Sequence, residues 1–297
     1  MMQQTLAKAV QAKGIGLHSG KMVHLKLVPA PAHHGIRFFR TDLGVEIEAL
    51  SQNVDFSALQ LATTLRKEKG CIQTTEHLMA ALYAMGIDNL RVEVDSAEIP
   101  IMDGSAAPFI YLIEEAGIKK QTAVRRVLKV TKPFHFNHQE KTVSVYPCET
   151  FRISYEINFD HPLIQKQQKT VEINPTLFEA EVSRARTFGF LKDVQMLKKM
   201  GLIQGGSIDN AIVLDGDRML NASLRQKDEF VSHKILDCVG DLALCGARFQ
   251  GHVVANKAGH EVHALFLRAL MASDAIAWEN ASEEEQEVAV HAEPVFA

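Results

Sequence analysis

His233, Asp237 and Asp241 recur at every fourth position in SHKILDCVGDLALCG, residues 232–246. Each helical residue turns by about 100°, so residues four apart drift by only about 40° and share a face. Lys234 flanks that face, while Ile235, Leu236, Cys238, Val239 and Leu242 occupy the other. Charged side chains are rarely buried unless they are paired or hold a metal, so the row either faces water or does chemistry. An amphipathic helix with a solvated stripe is the commoner case. Two details weigh against it. A solvated stripe usually carries Lys and Glu, whereas His and Asp four apart are short and are good zinc ligands. Gly240 also sits inside the helix, at a cost of roughly 1 kcal/mol relative to Ala, as if something approaches closely there.

Two ligands do not make a catalytic metal site; a third is needed, with a position left open. His77 is the leading candidate because Glu76 precedes it. A carboxylate beside a ligand, itself off the metal, can deprotonate a bound water. Taken alone, Glu76 reads as an acid at a helix N-terminus, which is common. Among the other histidines, His252 and His260 lie beside glycines in GHVVANKAGH, with the surface the ordinary place for His252. No catalytic role is expected for His24, His33 or His34. His18 lies in GIGLHSG, a Gly-rich turn without the Lys or spacing of a phosphate loop. Arg184 and Arg186 in SRARTFGF could hold a phosphate, but a solvated strand is the default. FLKDVQMLKKMGLIQGG is amphipathic, with Leu191, Val194, Leu197 and Met200 on one side. Core or partner contact is its ordinary reading, and a groove for a lipid chain the sharper one.

These residues need elements to carry them. KMVHLKLVPA alternates as a strand, with Val23, Leu25 and Leu27 on one side. GIRFFR, VEIEAL and NLRVEVDS read as further short strands. TTEHLMAALYAMG reads as a helix, with Thr74 and Thr75 offering N-cap hydroxyls and Gly86 its C-terminal stop. SAAPFIYLIEEAG reads as a second helix, from Pro108 in its first turn to Gly117. RVLKV, TVSVYP and FRISYEINF restart the strand pattern. The row-bearing helix follows and ends at Gly246. Residues 247–263 then read as a turn-punctuated strand pair and 265–280 as a last helix. Each half thus repeats strands, a helix opening near a histidine, a strand and a helix. The prediction is an α+β fold of two similar domains, 1–122 and 127–280, followed by an acidic, mobile tail over 281–297.

With 297 residues, 46% of them hydrophobic and 23% charged, a real core is expected. A net charge of −4 argues against a nucleic-acid binder. Cys71, Cys148, Cys238 and Cys245 form no CxxC pair and read as reduced thiols. The chain start has no apolar signal region, and no uncharged apolar run could span a bilayer, so a cytoplasmic protein is expected.

Six ordered blocks now matter together: GIGLHSG, TTEHLMAAL, GIDNLRVEVDSAEIPIMDGSAAPF, SRARTFGF, HKILDCVGDLALCG and the Gly-His at 259–260. Covering residues from about 3 to about 275, they resemble the UDP-3-O-acyl-N-acetylglucosamine deacetylases, zinc amidases of lipid A biosynthesis in Gram-negative bacteria. The resemblance implies two layered sheet-and-helix domains, helices between the two sheets, and an active site at the domain junction. It implies His77, His233 and Asp237 as zinc ligands and Glu76 as general base. His260 would be the general acid, on a separate strand, with Asp241 orienting and charging it, and Thr187 would help hold the oxyanion. Lys234 and Phe188 would touch the substrate, a UDP-linked acylated amino sugar. The segment after Phe190 would line the acyl-chain channel.

Iron(II) is an alternative metal in the cell, because His2Asp suits both ions. A monomer is the expected state. Some relatives end in a tail read by a regulatory protease, and the apolar end Val295-Phe296-Ala297 permits the same here. Two rival readings stand beside this one: a zinc hydrolase or deaminase acting on another amide or amidine, and a binding protein whose His/Asp row is only a solvated face.

Overall fold

A computed structural model describes residues 1–281, which form two sheet-and-helix units in an α+β fold. The acidic tail and its proposed protease signal lie, from residue 282 onward, outside the described residues.

The first unit is built on a five-stranded sheet ordered Val10–Ile15, Met22–Pro29, Leu90–Val94, Ile36–Arg40, Val45–Glu48. Alternation sets its faces: Val23, Leu25 and Leu27 point inward while His24 and Lys26 point out. Two helices accompany it, α1 (Glu76–Ala84) and α2 (Ala107–Ala116). All nine residues of α1 are buried, as expected of a helix covered on every side. Gly86 and Gly117 follow these helices with φ of 76° and 71°, the left-handed backbone that suits glycine at a helix end. The N-cap expectation is corrected: the Thr75 hydroxyl donates to the carbonyl of Thr63 at 3.2 Å and caps nothing.

The second unit holds a seven-stranded sheet around Arg248–Asn256, which pairs in parallel with Arg126–Val130 and Phe151–Phe159 and antiparallel with Lys141–Tyr146. Its helices are α3 (Pro175–Glu181), α4 (Leu191–Lys199), α5 (Glu229–Leu242) and α6 (His260–Met271). Among the described residues, every strand pairing stays within 2–124 or within 126–280. The helix–strand–helix sequence α1, Leu90–Val94, α2 is matched by α5, Arg248–Asn256, α6. Helix α1 packs on α5 across the junction, with α2 and α6 beside them.

Four further expectations are corrected. Residues 247–263 are one strand, Arg248–Asn256, and a turn, and α6 already begins at His260. That helix stops at Met271; Ile276–Asn280 is a strand paired antiparallel with Arg126–Val130. The apolar spacing Val262, Phe266, Leu267, Leu270 carries the buried face of α6 and ends before Ser273 and Asp274. Arg186 is not on a solvated strand: it is buried and its Nε donates to Glu229 at 2.8 Å. Finally, α4 has no buried residue, so its apolar side is not core.

Candidate metal centre

Helix α5 is buried almost throughout, and so is its titratable row. What allows this is α1. A Cβ on Gly240 would collide with the carbonyl oxygen of Glu76, so glycine lets the first turn of α1 lie directly on α5. That contact brings Glu76 and His77 to the row.

Three donor atoms converge. His77 Nε2 stands 3.6 Å from Asp237 Oδ1, and His233 Nε2 stands 3.4 Å from the same oxygen. Two donors bonded at about 2.0–2.1 Å to one tetrahedral ion lie about 3.4 Å apart, so the spacing fits a shared cation. Asp237 Oδ1 is buried without a hydrogen-bond partner, as is His77 Nδ1. A buried carboxylate oxygen left bare in this way is costly unless it coordinates. His233 Nδ1–H donates to the carbonyl of Ala185 at 3.0 Å, which fixes the tautomer and leaves Nε2 its lone pair. Burial pushes His233 down to about 3, so its ring is neutral, as a ligand must be. Burial works against the Asp237 charge, but the charges of Lys234 and His260 outweigh it and hold the carboxyl well below the usual range. Lys234 Nζ donates to Asp237 Oδ2 at 2.7 Å. The residues therefore fit a bound metal.

Two further titratable groups lie beside the three donors. Glu76 accepts from the Thr63 amide at 3.0 Å through Oε2, and its Oε1 lies 3.8 Å from His260 Nε2. Burial raises the Glu76 carboxyl above its ordinary value, against the pull of His260 and His77. His260 is the first residue of α6 and comes from a helix, not from a strand. Its Nδ1 donates to Asp241 Oδ2 at 2.8 Å. Burial alone would lower His260, yet Asp241, Glu76 and Asp237 drive it up to about 10.

Of the remaining expected residues, Lys234 and Phe188 border this group, and Thr187 precedes Phe188 in the chain. The Thr187 amide donates to the Gly104 carbonyl at 2.9 Å, tying the segment to the other unit. The Phe188 ring lies edge-on to His233 at 6.4 Å between centroids and 5.7 Å from Lys234 Nζ. Sequence reasoning missed Thr63, His263, Phe159 and His161. Thr63 and His263 both bond Asp241, while Phe159 meets Phe188 edge-on and lies tilted against Phe190, and His161 lies tilted against Phe190, extending the aromatic wall toward α4.

Two histidines and a carboxylate meeting at the junction of two α+β units, with a carboxyl and an imidazole beside them, fit a metal-dependent hydrolase. The chain belongs to the UDP-3-O-acyl N-acetylglycosamine deacetylase (LpxC) family, whose model matches residues 3–272. A UDP-3-O-acyl-N-acetylglucosamine deacetylase of Myxococcus xanthus is 50% identical over 91% of this chain and 86% of its own length. Its counterpart in Nautilia profundicola is 46% identical over 93% of this chain and 94% of its own. That of Saccharophagus degradans is 44% identical over 97% and 95%. Among the described residues no helix is long and apolar enough to cross a membrane.

Proposed function

We propose that the protein hydrolyses the N-acetyl group of UDP-3-O-(hydroxyacyl)-N-acetylglucosamine, giving acetate and UDP-3-O-(hydroxyacyl)-glucosamine, an early committed step of lipid A biosynthesis. The observation that carries this reading is the bare Asp237 Oδ1 beside His77 and His233, with His260 Nε2 3.9 Å from the other Asp237 oxygen and 3.8 Å from Glu76. His77, His233 and Asp237 would hold zinc, with iron(II) the alternative in the cell. Such an ion, when bound, lowers the pKa of water to about 7 and polarises a carbonyl.

The chain's own groups do the rest. Glu76, whose carboxyl burial raises, takes a proton in its carboxylate form from the water, whose oxygen bonds the acetamide carbon. The Thr187 hydroxyl donates to the carbonyl oxygen as charge develops there. His260 gives the proton on Nε2 to the nitrogen as the C–N bond breaks, so a neutral amine leaves rather than an amide anion. Asp241 on Nδ1 keeps His260 charged for that step. Lys234 and Phe188 border the sugar and the start of the acyl chain, and the aromatic rings from Phe188 to Phe159 support a channel for that chain.

The substrate is the partner this reading needs; the protein acts as a cytoplasmic monomer, and a regulatory protease would read the sequence of its C-terminal end. Its units are read as 1–122 and 127–280; the strand pairings, which stay within 2–124 and within 126–280, support a division at about this point. The test is substrate selectivity. Acetate should be released from the UDP-linked acylated sugar and not from free N-acetyl sugars or acetylated peptides; equal release from all three would overturn the assignment.

A further inference from the structure

The Asp241 carboxylate receives more donors than a simple partner of His260 requires. Its Oδ2 accepts from His260 Nδ1 at 2.8 Å and also from His263 Nδ1 at 2.8 Å. Its Oδ1 accepts from the Thr63 hydroxyl at 2.5 Å. Thr63 belongs to the first unit and, through its amide, also holds Glu76 Oε2 at 3.0 Å. His263 is fixed in turn by Tyr155, whose hydroxyl lies 3.0 Å from Nε2 and donates to the Ala258 carbonyl at 2.8 Å. Asp241, Thr63, His263 and Tyr155 are each 2% exposed or less.

We propose that Thr63 and His263 are positioning residues of the proton-donating half of the site, holding the Asp241 carboxylate in the one rotation that presents Oδ2 to His260. A carboxylate bonded through one oxygen can turn about its Cβ–Cγ bond. Donors on both oxygens, coming from opposite sides of the domain junction, stop that rotation. Thr63 links the two ends of the reaction, since one residue orients the base by its backbone and the acid's partner by its side chain. The inference rests on His260 being the acid in the proposed deacetylation.

The experiment is steady-state kinetics of zinc-loaded variants. Thr63→Val keeps shape and the amide bond to Glu76 but removes the hydroxyl; His263→Leu removes the imidazole donor. Each should lower kcat about 10- to 100-fold with KM within about twofold, because misplacement acts on the transition state. Thr63→Ser and His263→Asn, whose Nδ2 takes the place of Nδ1, should restore most of the loss. In an Asp241→Ala background, Thr63→Val should have no further effect on kcat. Wild-type kcat in Thr63→Val and His263→Leu beside an impaired Asp241→Ala would overturn the proposal alone, as would the same Thr63→Val loss without Asp241. Wild-type kcat in Asp241→Ala and in His260→Ala would instead remove the acid assignment beneath it.

Discussion

Gly240 of α5 touches the backbone carbonyl of Glu76 in α1, and no side chain fits between them. Catalytic geometry therefore depends on the absence of a methyl group. Glu76 and His77, the proposed base and one proposed ligand, arrive on one helix, His233 and Asp237 on its neighbour, and their separation is set at this contact.

Gly240→Ala gains helix propensity yet should destabilise the protein by about 1–3 kcal/mol, because α1 must move away. Thermal unfolding checks the direction. Metal affinity should fall with it, since His77 is displaced from His233 and Asp237. A higher melting temperature with full metal affinity would mean the helices are not in contact there.

Glu76→Gln keeps an acceptor for the Thr63 amide but cannot take a proton. Metal content should remain stoichiometric while kcat drops by about 10²- to 10⁴-fold. Metal loss in this variant would make Glu76 a ligand instead.

Ionised Glu76 and protonated His260 together make kcat/KM bell-shaped in pH. Burial raises Glu76, so activity is lost as pH falls through a value above the ordinary carboxylate range. His260, driven to about 10 by Asp241, Glu76 and Asp237 against burial, loses activity only as pH rises well beyond the usual imidazole range. Asp241→Asn removes the foremost of those charges and should move the basic limb to lower pH. A basic limb that stays in place would exclude His260 as the acid.

Phe188 sits between His233 and the rings of Phe159 and Phe230. Phe188→Ala should lower kcat/KM for an acylated substrate by about tenfold or more, as expected for an apolar contact worth about 1.5–3 kcal/mol. A substrate analogue without the acyl chain should lose less. Equal losses would place Phe188 away from the chain.

The row on α5 was legible because its period matches the helix, and Gly240 was legible as a close approach though its partner was not. His77 followed from the need for a third ligand. Thr63 and His263 were not legible. Thr63 precedes the site by a loop and acts through one hydroxyl and one amide, which leaves no periodic trace. His263 lies three residues after His260, on the same helical face, but the β-branched and glycine-rich run over 248–259 drew the strand reading too far and hid that spacing. Arg186 was misread because its partner, Glu229, is forty-three residues away in the chain.

The most direct measurement is metal content together with deacetylation of UDP-3-O-acyl-N-acetylglucosamine before chelation, after chelation and after zinc is returned. One zinc per chain, activity lost with the ion and regained with it, and no binding in His233→Ala are the predicted results. Undiminished deacetylation by metal-free protein would contradict a reaction built on His77, His233 and Asp237.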